Sequence, residues 1–161
     1  MLTANFIANP FAAAVTGAFN GLILPSPTLP APGGSVPSNE TVGKVTATVT
    51  GTGALSGKLF IDGMSLGFAG VFDNTGTARF GTSRATSFAV VRTIKPSYVL
   101  TLNLKDLVPA DPEKIRMEGT LTQTIRSTIK SVSDLKAGRA YYNGTTVKVP
   151  VNLAGPTSKA Y

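Results

Sequence analysis

The stretch TGALSGKLFIDG, residues 52–63, is the first place where residue types and spacing could do chemistry. Gly51, Gly53 and Gly57 lead into Lys58, and glycine-rich turns followed by a lysine cradle phosphates through backbone N–H groups. The spacing argues against that use. A phosphate loop needs glycine, four residues, then Gly-Lys-Ser/Thr. Counting back from Gly57 places Thr52 where the first glycine belongs, and Leu59 follows the lysine. The dinucleotide pattern Gly-x-Gly-x-x-Gly fails too, because Gly57 comes one position late and the following residues read as a strand running into a turn. Read at period two, Gly53, Leu55, Gly57, Leu59 and Ile61 share one face, and Ala54, Ser56, Lys58 and Phe60 share the other.

The remaining candidates for chemistry are few. The chain holds no Cys, His or Trp, which excludes Cys/His zinc sites, Ser-His-Asp triads and thiol nucleophiles. Glu40, Asp62, Asp73, Asp106, Asp111, Glu113, Glu118 and Asp134 are the acids, and most stand in or beside turns, where Asp makes local hydrogen bonds. A glycosidase needs two of them across a cleft, and nothing in the sequence singles out a pair. Neither Asp73 with Asn74 nor Asp111 with Glu113 has the dense oxygen spacing of a calcium loop. No metal or cofactor is expected.

Basic residues outnumber acids, 15 to 8, and none lies in residues 1–43. In RFGTSRATSFAVVR, Arg79, Arg84 and Arg92 stand near Phe80 and Phe88, a spacing that suits a polyanion or a stacked base. The phenylalanines alternate as core residues do, so nucleic acid is not expected. Arg79, Arg84, Arg92 and Tyr142 are the candidate contacts for a polyanion or a polysaccharide, with an exposed Tyr offering a ring to a sugar.

The elements that must position these residues are strands. Only 14% of residues are charged, 42% are hydrophobic, and Gly and Pro are frequent. Period-two alternation recurs in KVTATVT (Val45, Ala47, Val49), VLTLNLK (Leu100, Leu102, Leu104), KIRMEGTLTQTI (Ile115, Met117, Gly119, Leu121, Gln123, Ile125) and TVKVPV (Val147, Val149, Val151). Asp62-Gly63, the stretch Asp73 to Gly76, and Asn143-Gly144 supply tight turns. One all-β domain over residues 1–161 follows. It is an antiparallel meander of about eight to ten strands, closed into a barrel or folded into a sandwich, with little or no helix. Two segments stand apart: an apolar, uncharged N-terminal stretch at 1–14 and a Pro/Gly-rich loop at 24–41. Glycines four apart, such as Gly17 with Gly21 and Gly53 with Gly57, lie on one face and make room for bulky cross-strand neighbours. No apolar run reaches the roughly 20 residues of a membrane-crossing helix.

The words NPFAAAVTGAFNGLI, TGALSGKLFIDGMSLGFAGVFDNTGTARF, LTLNL, DLKAGRAYYN and VPVNLAG follow one another in an order that resembles a β-rich repeat unit of large surface or secreted proteins of Verrucomicrobia and Planctomycetes. The unit's Asn-Pro-Phe falls on Asn9 to Phe11, and its Gly-x-Tyr-x-Gly-Leu on Gly17 to Leu22. Its Gly-x-Phe-Ser-Gly-Lys-Leu falls on Gly53 to Leu59, its Gly-x-Phe-Asp-x-x-Gly on Gly70 to Gly76, and its Arg-Ala-x-Tyr on Arg139 to Tyr142. Phe19 replaces the usual Tyr, and Val71 separates Gly70 from Phe72. The resemblance implies an extracellular or cell-surface module of a bacterium, and no reaction. It also accounts for a start without the basic region of a signal peptide, as expected of one unit cut from a longer chain.

These readings converge on a non-catalytic structural module that self-associates with copies of itself or with neighbouring repeats of the same polypeptide. Phe6, Ile7, Phe11 and Val15 are the expected self-association residues, acting by packing or by strand addition. Carbohydrate or polyanion binding on a basic outer face is the alternative.

Overall fold

The computed structural model of the chain describes residues 11, 15–27, 37–107, 114–125 and 128–140. Nine strands span them: β1 (Gly17–Pro25), β2 (Gly43–Val49), β3 (Ala54–Ile61), β4 (Met64–Phe72), β5 (Ala78–Arg79), β6 (Phe88–Val90), β7 (Tyr98–Lys105), β8 (Arg116–Ile125) and β9 (Thr128–Arg139). All pair antiparallel in one sheet of order β5-β4-β3-β2-β1-β9-β8-β7-β6. Two meanders, β1–β5 and β6–β9, are thus joined by a long-range pairing of β1 with β9.

The sheet curls into a half-barrel, and its short edges meet. Thr77 bridges Asn103, the Leu104 N–H donates to the Gly76 carbonyl at 2.7 Å, and the Phe80 and Phe88 rings lie 5.4 Å apart. The all-β meander expected from the sequence is present, and its closure takes the curled, half-barrel form.

One face of every long strand fills the core. Phe19 and Ile23 of β1, Val45, Ala47 and Val49 of β2, and Leu100, Leu102 and Leu104 of β7 are all buried. On β3, Leu55, Leu59 and Ile61 are buried while Ala54, Ser56 and Lys58 are exposed, as alternation requires. Residues 52–63 are therefore a strand and a hairpin. Ile61 pairs with Met64, and Asp62 and Gly63 form the two-residue loop with φ of 56° and 71°. Positive φ at both positions is what a type I′ turn demands. Gly57 faces inward because the Phe68 ring occupies the space beside it: a Cβ there would lie 2.4 Å from Phe68 Cζ. Gly53 likewise receives the Phe11 ring at 2.7 Å and adopts φ of 78°.

Three expectations change, and one strand comes in addition. Phe11 and Val15 are buried in this chain's own core, at 7% and 0% exposure, because Gly53 opens a recess for Phe11. They do not present a free association surface. The loop expected from residue 24 starts later: β1 continues through Leu24 and Pro25, and the Ser26 N–H donates to the Val132 carbonyl at 3.0 Å. Ile125 leaves the inward row and is 39% exposed. The β8–β9 register shifts between Gln123 and Thr124, so Ser131 pairs with Gln123 but Ile129 pairs with Thr124. That bulge bends the end of the hairpin away from the core. Finally, SVSDLKAGR belongs to β9, a strand whose mixed pattern hid it, since Ser131, Val132 and Ser133 are buried in succession. Phe6, Ile7, Tyr142, the strand at 147–151, the turn at 143–144, most of the proline-rich loop and nearly all of the connection 108–114 lie outside the described residues.

The two ends of the half-barrel differ. One end, termed the mouth, is where β1, β3, β6 and β8 finish and β2, β4, β7 and β9 begin. All the buried polar or charged residues among the described ones, Ser26, Thr41, Arg92, Gln123, Ser131 and Ser133, gather there.

Candidate functional site

The mouth holds the densest polar chemistry. β6 ends at Val90, and the next segment turns Arg92 inward beneath the connection to β7. The Arg92 side chain has no solvent exposure. Its Nε donates to the Pro96 carbonyl at 2.7 Å, and Nη2 donates to the same oxygen. Its Nη1 donates to Asp62 Oδ2 at 2.8 Å and to the Tyr98 hydroxyl at 3.2 Å. The guanidinium carbon lies 4.1 Å from the Tyr98 ring centre, close enough for cation–π attraction. Tyr98 completes the link by donating to the Glu40 carbonyl at 2.9 Å.

A second layer lies outside the first. Lys95 Nζ reaches Asp62 Oδ1 at 2.8 Å and Glu40 Oε1 at 3.3 Å, and Lys130 Nζ reaches Glu40 Oε2 at 2.7 Å. The Ser133 hydroxyl donates to the Thr41 carbonyl at 3.0 Å. Four separate pieces of chain are thereby tied together: the 38–42 turn, the β3–β4 hairpin, the β6–β7 connection and the start of β9.

The titrations follow from these contacts. The hydrogen bond from Lys95 holds the Asp62 carboxyl below its ordinary range, and the one from Lys130 does so for Glu40. Lys95 is raised, first through its bond to Asp62. Burial pushes the Tyr98 phenol up to about 12. The structure does bring two carboxylates together, around Lys95. Both are ion-paired and held ionised, so neither is suited to deliver a proton at neutral pH. The arrangement binds chain to chain.

Arg79, Arg84 and Arg92 do not converge. Arg92 is buried and fully engaged with Asp62, Pro96 and Tyr98, so it is not the polyanion contact expected of it. Arg79 pairs with Asp73 through Nε and Nη2, both at 2.8 Å, near the far end of β4. Partial burial opposes charge at Asp73, yet hydrogen bonds from Thr75, Thr77 and Arg79 outweigh it and hold the carboxyl at about 2. Arg84 is exposed at the tip of a tight loop closed by Phe80 and Ala85, with φ of 52°. Phe80 is buried and Phe88 half-buried against it, which is the core role that alternation indicated.

Sequence reasoning missed Glu40, Lys95, Tyr98 and Lys130 as parts of one cluster. Their partners are 33 to 90 positions away, so no local spacing signals them. It also missed a shallow trough of about 740 Å³ on the outer face of β1–β4, lined by Asn20, Thr46, Thr48, Ser56 and Lys58. No group of three or more acids placed to hold a metal ion occurs among the described residues. No helix among them is long and apolar enough to cross a membrane. Against known proteins, no family model matches the chain, and no curated protein matches it.

Proposed function

We propose that this chain is a non-catalytic structural module of a bacterial cell-surface or extracellular assembly, joined to copies of itself or to neighbouring repeats. One observation carries the reading: the most concentrated polar chemistry in the fold is spent on bracing loops. Arg92, Asp62, Lys95, Glu40 and Lys130 satisfy one another across four segments. That is the construction of a rigid building unit. The ordered glycine-aromatic words, which resemble those of bacterial surface repeats, support the same reading.

Self-association through the N-terminal region is narrowed by the core. Phe11 and Val15 belong to the fold itself, so the contact is assigned to the residues before them, including Phe6 and Ile7. Deleting residues 1–10 leaves Phe11 in its recess. Light scattering and electron microscopy should then show loss of assembly with an unchanged melting temperature. Normal assembly of the deleted chain would remove this part of the proposal.

The trough beside Lys58 favours a second reading, a polysaccharide or polyanion laid along the outer face. A glycan array with a salt titration separates the cases: binding that collapses with salt indicates a polyanion, and salt-insensitive binding indicates sugar recognition.

A further inference from the structure

We propose that the mouth of the half-barrel docks on an anionic lipid surface, with Val91 and Ile94 entering the headgroup layer. This inference stands apart from the assembly reading and rests on different residues.

The distribution of exposed apolar side chains is lopsided. Among the described residues, Leu22, Leu24, Val42, Val91, Ile94, Val99, Ile125 and Ile129 are the large exposed hydrophobics, and all stand at the mouth or within three residues of a strand end there. Ile94 is 96% exposed and Val91 73%. Isolated exposed leucines are ordinary; aliphatic side chains concentrated at one end mark an interaction site.

Two connections carry the most protruding ones. Val91 and Ile94 lie between β6 and β7, and Ile125 and Ile129 flank the β8–β9 connection. At or beside each connection a lysine directly follows an isoleucine, Ile94-Lys95 between β6 and β7 and Ile129-Lys130 at the start of β9. Lys95 and Lys130 both contact the Glu40 carboxylate, at 3.3 and 2.7 Å, so the two connections stand side by side. The cluster beneath them holds three bases against two acids, and the whole chain carries +7. That sign complements anionic headgroups.

The brace under the tip gives the surface its purpose. Burying a guanidinium opposes folding unless it is fully paired. Here the paired Arg92 holds up a connection whose neighbours, Val91 and Ile94, project into solvent. A tip held in place beforehand loses little conformational entropy on insertion. The chemistry suits lipid better than a second copy. Protein hot spots are rich in Trp, Tyr and Arg within fitted pockets, whereas these are aliphatic side chains on separate protrusions, which a fluid bilayer takes without a shaped socket.

The absence of tryptophan from the chain allows a direct test. Ile94→Trp places a single indole at the tip, and Asn74→Trp places one at an exposed site in the β4–β5 turn, at the end opposite the mouth. With vesicles of phosphatidylcholine and phosphatidylglycerol, the Ile94→Trp emission should shift to the blue while that of Asn74→Trp stays unchanged. Phosphatidylcholine vesicles alone should give a much smaller shift. In co-sedimentation, Ile94→Asp should bind the anionic vesicles at least tenfold more weakly at an unchanged melting temperature. Any of four results overturns the proposal: no shift with either vesicle, equal shifts at both sites, equal shifts with both lipids, or undiminished binding by Ile94→Asp. A blue shift that grows with protein concentration in the absence of vesicles also overturns it and assigns the mouth to a second copy.

Discussion

Replacing Gln123 with Met should stabilise the protein. Gln123 is fully buried on β8, with Tyr98 of β7 and Ser131 of β9 across from it. Neither its amide nitrogen nor its amide oxygen has a hydrogen-bond partner. An unmet buried polar group costs about 1–3 kcal/mol, while an apolar replacement of the same shape needs no partner. Methionine matches the length of glutamine and loses comparable rotamer freedom on burial. The expected gain is therefore about 1–3 kcal/mol. For a domain of this size that is roughly 2–12 °C in melting temperature, at about 2–4 °C per kcal/mol. Urea denaturation followed by circular dichroism should show a higher midpoint with an unchanged slope. Gln123→Glu serves as the complement: a carboxyl in the same dry position has its pKa raised, so that variant should lose stability as pH rises from 4 to 7. Loss of more than about 1 kcal/mol in Gln123→Met would refute the reasoning, because it would mean that the amide makes good hydrogen bonds in solution.

Arg92→Met should destabilise the fold by about 3–5 kcal/mol, since it strips partners from Asp62, Pro96 and Tyr98 in one step; calorimetry beside wild type measures it. Gly57→Val should destabilise by about 1–3 kcal/mol through overpacking against Phe68, whereas Gly67→Val, at a site open to solvent, should not. Tyr98 has a folded pKa raised from 10.0 to about 12, so its contribution is intact below the unfolded value and is lost as pH climbs through that window. Alkaline difference absorbance should show one of the four tyrosines ionising late, and Tyr98→Phe should remove that phase. The depressed Asp62, Glu40 and Asp73 carboxyls act at the other extreme: their contribution is present above the ordinary carboxylate range and fades as pH falls toward 2. Denaturation midpoints taken across that range should fall together.

Alternation exposed most of the sheet, because one buried face forces period two on the residues that fill it. Val45, Leu55, Leu100 and Met117 all stand where the pattern places them. The Asp62-Gly63 turn was equally legible, since few dipeptides accept two positive φ angles in a row. Where the pattern failed, a long-range cause intervened. The register shift between Gln123 and Thr124 turned Ile125 out. The bracing cluster was illegible because Arg92 meets Asp62 across 30 positions and Lys130 meets Glu40 across 90. In sequence Arg92 looks like any surface arginine; only the curl of the sheet drops it beneath the mouth.

The neighbouring positions of β1 and β9 set how the module answers to tension. Gly17 opens β1 and Arg139 closes β9 at the same end of the half-barrel, where Arg139 Nε donates to the Thr16 carbonyl at 2.7 Å. A load pulling these two points apart acts across the strand pair, so its hydrogen bonds break one after another rather than in parallel. The strands would part like a zip. The fold loaded in this way yields at low force and lengthens step by step. Optical-tweezer extension through residues 16 and 140 should find early, stepwise yielding, and a single high-force rupture would count against that geometry.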